Sequence, residues 1–376
     1  MRTKRFSVLH LIILLPVTML LTAGVLLAVF YGIFGKEGMS LLEGLYLVNS
    51  RFVGEYDQTQ VVDSALSGMV DGLGDRWSYY LTEEEYAAQN QRRTNQYVGI
   101  GVTVNYESEK GLTIVEVTAG GPAEAAGLQS GEVITMVDGF SLAGENRYEG
   151  SEHIQGEEGT TVTLEVLGTD GQTRTVEVTR ASLDSDPVTA KMLEGNVGYV
   201  ALANFYDHSA ERLEEEVTKL QEEGAVALVF DMRNNGGGYL SQLTEMLDFL
   251  LPEGPIFISR DRAGNEEVTQ SDASCVDLPM AVLVNADTYS AAEFFAAELQ
   301  EQGVAVIVGE PTSGKGYSQQ TFALPHGGAM AISTGAYFTG SGTSLIGTGL
   351  TLDAEVYLTG EGDAQLEAAL DLLAQN

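Results

Sequence analysis

Between Phe6 and Gly35 the chain carries no Asp, Glu, Lys or Arg, and the run LHLIILLPVTMLLTAGVLLAVFYGIF is long enough to cross a bilayer as one helix. Past Gly38 the apolar positions recur at helical spacing in LLEGLYLVNSRFV and again in VVDSALSGMVDGL, which Gly74 closes. Residues 38–96 are therefore predicted as short helices. Thr82 stands where it caps a further helix beginning on Glu83–Glu85. From Tyr97 the period shortens to two. YVGIGVTVNY reads as a glycine-punctuated strand, LTIVEV and EVITMVDG as short alternating strands, and TTVTLEVLGTDGQTRTVEVTR as a hairpin turning at Asp170–Gly171. Between them GGPAEAAGLQSG makes one or two helical turns, with Pro122 at the first helical position and Gly127 at the cap. Residues 97–183 form a small β-rich module on this pattern.

After about Asp184 the strands lose their alternation. AVALVF (residues 225–230) and MAVLV (residues 280–284) are continuous apolar runs, as expected of strands covered on both faces. Each opens into a loop and then a helix. Leu240, Leu243, Met246, Leu247 and Leu250 share one helical face, and a second helix runs from Ala291 to Gln302, where Gly303 stops it. VAVIV, residues 304–308, returns as a third strand. Residues 184–376 are an α/β core on this reading.

A chain of 376 residues has room for two or three such domains. Its 54 acidic against 19 basic residues give a formal charge of −35, which argues against a nucleic-acid partner or an anionic lipid surface. Arg2, Lys4 and Arg5 precede the apolar run. The positive-inside rule then holds the N-terminus in the cytoplasm and puts the rest of the chain outside. A cleavable signal peptide competes with an anchor, but its apolar core is usually only about 7–15 residues and ends at a small-residue site, and this run is longer and has none. With Cys275 as the one cysteine, an internal disulfide and a cysteine zinc cluster are both excluded.

Chemistry in α/β folds gathers where strand ends open into helices, and three such places stand out. DMRNNGGG, residues 231–238, is either a tight turn or a set of backbone N–H groups aimed at an oxyanion. In NADTYSAAEFF, Ser290 is a nucleophile at a helix start or, with Glu293, a capping box; the two roles are compatible. GEPTSGKGYSQQ matches most of a phosphate-binding P-loop, but Gly316 replaces the magnesium-holding Ser or Thr and an extended segment follows. Lys315 reads better as a base, because a desolvated lysine can be neutral at working pH. His153, His208 and His326 stand in no triad context, and neither a G-x-S-x-G elbow nor an H-E-x-x-H motif occurs.

Taken together, LGDRWSYYLTEEEY, YVGIGVTV, GGPAEAAGLQSGEVI, IQGEEGTTVTLEV, VALVFDMRNNGGG, LVNADTYSAAE and GEPTSGKGYSQQ occur in the order of the C-terminal processing peptidases, or tail-specific proteases, which this chain resembles from about Leu42 to Val356. The resemblance implies a Ser–Lys serine peptidase core with an inserted PDZ domain. It places the nucleophile on Ser290, the general base on Lys315 and its partner on Gln319, which would orient Lys315 by a hydrogen bond. It places the oxyanion hole on the N–H groups of Gly237 and Ala291. Loop amides at Val98, Gly99, Ile100 and Gly101 would hold a substrate's C-terminal carboxylate while an adjoining strand pairs with its last residues. The chain departs from the family pattern with Arg76 for proline, Gly236 for proline or serine, Tyr289 beside the nucleophile and Gln155 for arginine.

The expected architecture is an α/β peptidase core with an inserted PDZ-like β-rich domain, a helical N-terminal region and one N-terminal transmembrane helix. The divisions fall at residues 1–37, 38–96, 97–183 and 184–376. The expected protein is a single-pass, extracytoplasmic endopeptidase of the cell membrane that takes unfolded polypeptide C-termini and needs no metal or cofactor; members of the resembled family often assemble, which makes a homodimer an open expectation. The competing function is a non-catalytic PDZ tether built on a degenerate peptidase core.

Overall fold

The computed structural model describes residues 8–360 and 362–375, in two compact units that divide between Val62 and Asp63. The first is dominated by a helix, Val8–Arg51, kinked at Gly35 (φ 63°, ψ −168°), a conformation open to glycine. Sequence spacing predicts a separate helix after Gly38. The structure has such a helix running to Arg51: at Gly35 the backbone leaves helical conformation, so the apolar helix and the one after it meet at the kink. From Leu14 onward this helix is long and apolar enough to cross a membrane, and its leucines face outward, Leu20 at 74% exposure. The basic residues Arg2, Lys4 and Arg5 lie outside the described residues.

The second unit contains both the β-rich module and the α/β core. Strands Val102–Asn105, Leu112–Val117, Val133–Val137, Thr161–Leu167 and Thr173–Thr179 make one antiparallel sheet in that spatial order. Its alternating inner residues Ile114, Ile134, Leu164, Val166 and Val178 close a core of their own. The chain enters and leaves this module through a two-stranded ribbon, Gln96–Gly99 against Ala181–Asp184.

The core is a six-stranded sheet. Val188–Met192 pairs antiparallel with Val197–Leu202, and from there Ala227–Asp231, Met280–Val284, Ala305–Gly309 and Ala354–Glu355 follow in parallel. Successive side chains point to opposite faces. Leu228, Phe230, Val282, Val284 and Ile307 pack against helices Ser209–Glu222, Leu240–Leu250 and Ala291–Glu301. Ala227, Val229, Ala281, Leu283 and Val308 lie under Ala364–Leu373. That double cover is why the strands read as unbroken apolar runs.

A second, five-stranded antiparallel sheet roofs one end of this core. Tyr317–Ala323 pairs along one edge of Ala329–Phe338, and the other edge is shared by the short strand Tyr79–Leu81, against Ala329–Ala331, and by Gly254–Asp261, against Gly335–Phe338, with Glu266–Ser271 beyond it. The pairing of Tyr79–Leu81 carries Asp75 and Trp77, far away in sequence, to the hairpin that follows Lys315.

Candidate active site

Ser290 occupies the N-cap of helix Ala291–Glu301 with φ 62° and ψ −127°. A non-glycine residue there is strained by roughly 1–3 kcal/mol, and such strain is tolerated where surrounding structure over-determines it. The determinant is Glu293, which is fully buried. One carboxylate oxygen accepts the N–H of Ser290 (3.0 Å) and of Lys315 (2.9 Å); the other accepts the N–H of Gly314 (2.7 Å) and the Thr312 hydroxyl (2.6 Å). One buried carboxylate thus ties the two motifs together through their backbones. Only part of the expected capping box forms: the Glu293 N–H goes to the Ser290 carbonyl at 2.9 Å, and Ser290 makes no side-chain cap bond. Its hydroxyl is left for other chemistry.

Lys315 projects into the same cleft, a hollow of about 690 Å³. Its ammonium nitrogen lies 4.9 Å from the Trp77 ring centroid and 5.5 Å from that of Tyr289, and the two rings are 5.8 Å apart. Burial between them lowers the Lys315 pKa to about 8, against the pull of Asp75 and Glu293, while Arg93 adds to the fall. Two departures from the family pattern account for each other here. A Cβ on residue 236 would sit 2.5 Å from the Tyr289 hydroxyl, so the ring that flanks Lys315 needs glycine there.

Behind Lys315 lies a hydrogen-bonded chain. Ser78 and Ser333 hydroxyls both donate to Asp75 at 2.6 Å, and the Trp77 N–H donates at 3.1 Å. Burial pushes the Asp75 carboxyl upward, but these donors and Lys315 outweigh it and hold it below its usual range. Gln319 joins the chain: its amide nitrogen donates to the Ser333 hydroxyl (3.2 Å) and to the Tyr317 carbonyl (2.8 Å). The hydrogen bond expected from Gln319 to Lys315 is therefore absent in this conformation. Gln319 lines the cleft and reaches Lys315 electrostatically by way of Ser333 and Asp75.

The expected oxyanion donors are adjacent, since a Cβ on residue 237 would fall 2.8 Å from the Ala291 nitrogen. The N–H of Gly237, however, donates to the Asn235 side-chain oxygen at 2.8 Å, an Asx turn that the glycine-rich loop makes with itself. Of the histidines, His326 lies against Tyr80 and Asp63, His153 stacks on Phe140, and exposed His208 faces Glu211. Among the described residues none of them lines this cleft.

In the PDZ module Val98 and Gly99 belong to the ribbon strand, so the open turn is Ile100–Gly101. Beside it Val102–Asn105 is an edge strand, and a crevice of about 80 Å³ separates it from helix Gly150–Ile154. Ser151, which lines the crevice, has its hydroxyl 3.0 Å from that of Tyr106.

Sequence reasoning missed Asp75, Trp77, Arg93 and Ser333, which come from elements distant in the chain. Glu293 it saw only as a cap. Its signal was present all the same: an acidic residue on the otherwise apolar face of a helix.

Comparison with known proteins agrees with this geometry. Residues 196–356 match the model of peptidase family S41 and residues 97–179 that of the PDZ domain. The chain is 33% identical over 326 residues to a carboxyl-terminal-processing protease of Picosynechococcus, covering 83% of this chain and 79% of that one. It is 28% identical to the solved photosystem II D1 C-terminal processing protease, with a TM-score of 0.50 and 86% and 87% of the two chains covered. A putative S41 protease from Bacteroides fragilis, 20% identical with a TM-score of 0.57 over 86% and 92% of the chains, shares the fold. The fold and its cleft define a serine peptidase with a PDZ domain. The chain belongs to peptidase family S41, with the carboxyl-terminal-processing proteases.

Proposed function

We propose that this chain is a membrane-anchored extracytoplasmic endopeptidase that captures free polypeptide C-termini on its PDZ module and cleaves with Ser290 and Lys315. The observation that carries the reading is the sharing of Glu293: it fixes the backbones of Ser290 and Lys315 together while the Lys315 side chain is desolvated in the cleft that Ser290 opens onto.

Neutral Lys315 accepts the proton of the Ser290 hydroxyl as Oγ attacks the scissile carbonyl carbon. The tetrahedral oxyanion takes hydrogen bonds from the N–H groups of Ala291 and Gly237, the latter after it leaves Asn235. Collapse breaks the C–N bond, and the departing amine takes the proton from the Lys315 ammonium. Lys315 then deprotonates a water that attacks the acyl-enzyme, releasing the acid and restoring the Ser290 hydroxyl. Gln319 and Asp75 hold the lysine side of this exchange. In the PDZ module the amides of Ile100 and Gly101 receive the terminal carboxylate, and the open edge of Val102–Asn105 adds the substrate's last residues as a strand. The apolar run within 1–37 anchors the chain, residues 38–96 connect it, and residues 97–183 and 184–376 are the capture and cleavage domains.

The test compares detergent-solubilised wild type with Ser290→Ala on an unfolded polypeptide with an apolar C-terminus, reading products by mass. Cleavage that disappears in the variant supports the nucleophile. Equal cleavage by both removes Ser290 from the mechanism. Tight binding of C-termini without cleavage by wild type favours the tethering alternative.

A further inference from the structure

The cleft is charged against the rest of the molecule. In a chain with 54 acidic and 19 basic residues, its walls carry three cations, Arg76, Arg93 and Lys315, and no Asp or Glu. Lys315 is occupied by the chemistry. Arg76 is stacked on Trp77 at 4.1 Å and donates to the Ser313 carbonyl at 3.4 Å. Arg93 meets only the Tyr239 ring, at 5.9 Å, and among the described residues its guanidinium makes no hydrogen bond. Among the described residues no carboxylate lies within 4.0 Å of its guanidinium, and its Nε is enclosed without a hydrogen-bond partner. The nearby acids are taken. Asp75 is held by Ser78 and Ser333, Glu293 by four donors, and Asp207 meets Arg93 only through its backbone N–H on the Arg93 carbonyl.

Arg93 is also held in place. It ends the helix Glu83–Arg93, and its guanidinium lies 5.9 Å from the Tyr239 ring centroid. It is close enough to Lys315 to lower that lysine's pKa. A planar fork of donors left unpaired, half-buried and fixed beside the reacting groups is the arrangement that binds a carboxylate through two parallel hydrogen bonds. Buried polar groups without partners are also what lets a site reject a ligand lacking the matching group.

We propose that the Ser290 cleft selects polypeptides presenting a carboxylate close to the scissile bond, and that Arg93 binds it. This rests on the peptidase reading and adds a substrate class to it. The carboxylate is either an Asp or Glu side chain or the substrate's own C-terminus.

The experiment uses the full chain in detergent and two sets of peptides of equal length. One set exchanges Glu for Gln at each of the positions flanking the cleaved bond; the other exchanges a free C-terminal acid for its amide at stepped distances past that bond. Wild type is expected to favour the carboxylate at least tenfold in kcat/KM at one position. The set in which this appears identifies the source. The preference is expected to fall below about twofold in Arg93→Gln and to lie between in Arg93→Lys, which keeps the charge and loses the fork. Because the ratio is read within each variant, a general loss of activity leaves it unaltered. Arg93→Gln is further expected to move the acid limb of the pH profile upward, since a cation that disfavours the Lys315 ammonium is gone; a merely structural arginine would leave it in place. Cleavage of every pair at equal rates by wild type overturns the proposal and leaves the peptidase reading standing. A preference that survives in Arg93→Gln overturns the role of Arg93. Absence of cleavage of any peptide, by wild type as by Ser290→Ala, overturns the peptidase reading itself.

Discussion

At the scale of single residues the site turns on Lys315, which its aromatic surroundings and Asp75 pull in opposite directions. Burial between Trp77 and Tyr289 disfavours the ammonium, and Asp75 favours it. With the lysine pKa at about 8, kcat/KM is expected to rise with pH through an acid limb near that value. Asp75→Asn removes a favouring charge, so the limb is expected to shift to lower pH, and a titration of kcat/KM from pH 5 to 10 checks the sign. A limb that stays put separates Asp75 from Lys315. Glu293 does its work through backbone groups rather than through charge on the substrate. Glu293→Ala strands the N–H groups of Ser290, Gly314 and Lys315 without an acceptor, each worth roughly 1–3 kcal/mol when buried. The expected outcome is a lower Tm together with a loss of kcat of at least a hundredfold, measured by thermal unfolding and by peptide cleavage.

The helix Ala291–Glu301 links Ser290 to the packing of the whole core. Its Phe295 packs edge-on against Phe205 at 6.0 Å and Phe230 at 5.3 Å. Phe295→Ala is expected to cost about 3–5 kcal/mol of stability, as core aromatic truncations do, and denaturant titration measures it. The same helix buries Glu298, whose carboxyl accepts the Gly340 N–H on one oxygen and leaves the other without a partner. Burial raises its pKa from about 4.5 in the unfolded chain to about 8. A raised carboxyl pKa means the folded state keeps the proton longer than the unfolded one. Stability is then highest below about pH 4.5 for this group and declines as pH rises toward 8. Glu298→Gln is expected to match wild type in Tm near pH 4.5 and exceed it at pH 8; a constant difference across that range refutes the linkage.

Across the whole molecule, the proposed function gives the two compact units different tasks. The helix to Arg51 is long and apolar enough to hold the chain in a membrane, and the unit from Asp63 contains the PDZ sheet, the α/β sheet and the cleft. Deleting residues 1–37 is expected to move the protein from the membrane fraction to the soluble fraction while Ser290-dependent cleavage persists, which fractionation and a peptide assay check together. Capture by the PDZ module predicts that amidating a substrate's C-terminus raises KM and leaves kcat within about threefold, because the amide removes a carboxylate bound before the chemical step.

Much of this was written in local pattern. The apolar helix follows from composition, the PDZ strands from alternation of period two, and the capping of Glu83–Arg93 by Thr82 from a box that the structure reproduces in full. The hairpin at Asp170–Gly171, the two-sided burial of Ala227–Asp231 and Met280–Val284, and the position of Ser290 at a helix start were legible for the same reason: each is decided by neighbours within a few residues. What lay beyond the sequence depends on contacts between distant segments. The pairing of Tyr79–Leu81 with Ala329–Phe338 brings Asp75 and Trp77 to Lys315. The fit of Tyr289 over Gly236 sets one wall of the lysine's surroundings, and the Asn235 side chain, rather than an oxyanion, holds the Gly237 N–H. The chain's own order determined which residues can react. Only the tertiary structure decided how they are charged, because the pKa of a lysine depends on what excludes water from it, and Trp77 and Tyr289 reach Lys315 from separate parts of the chain.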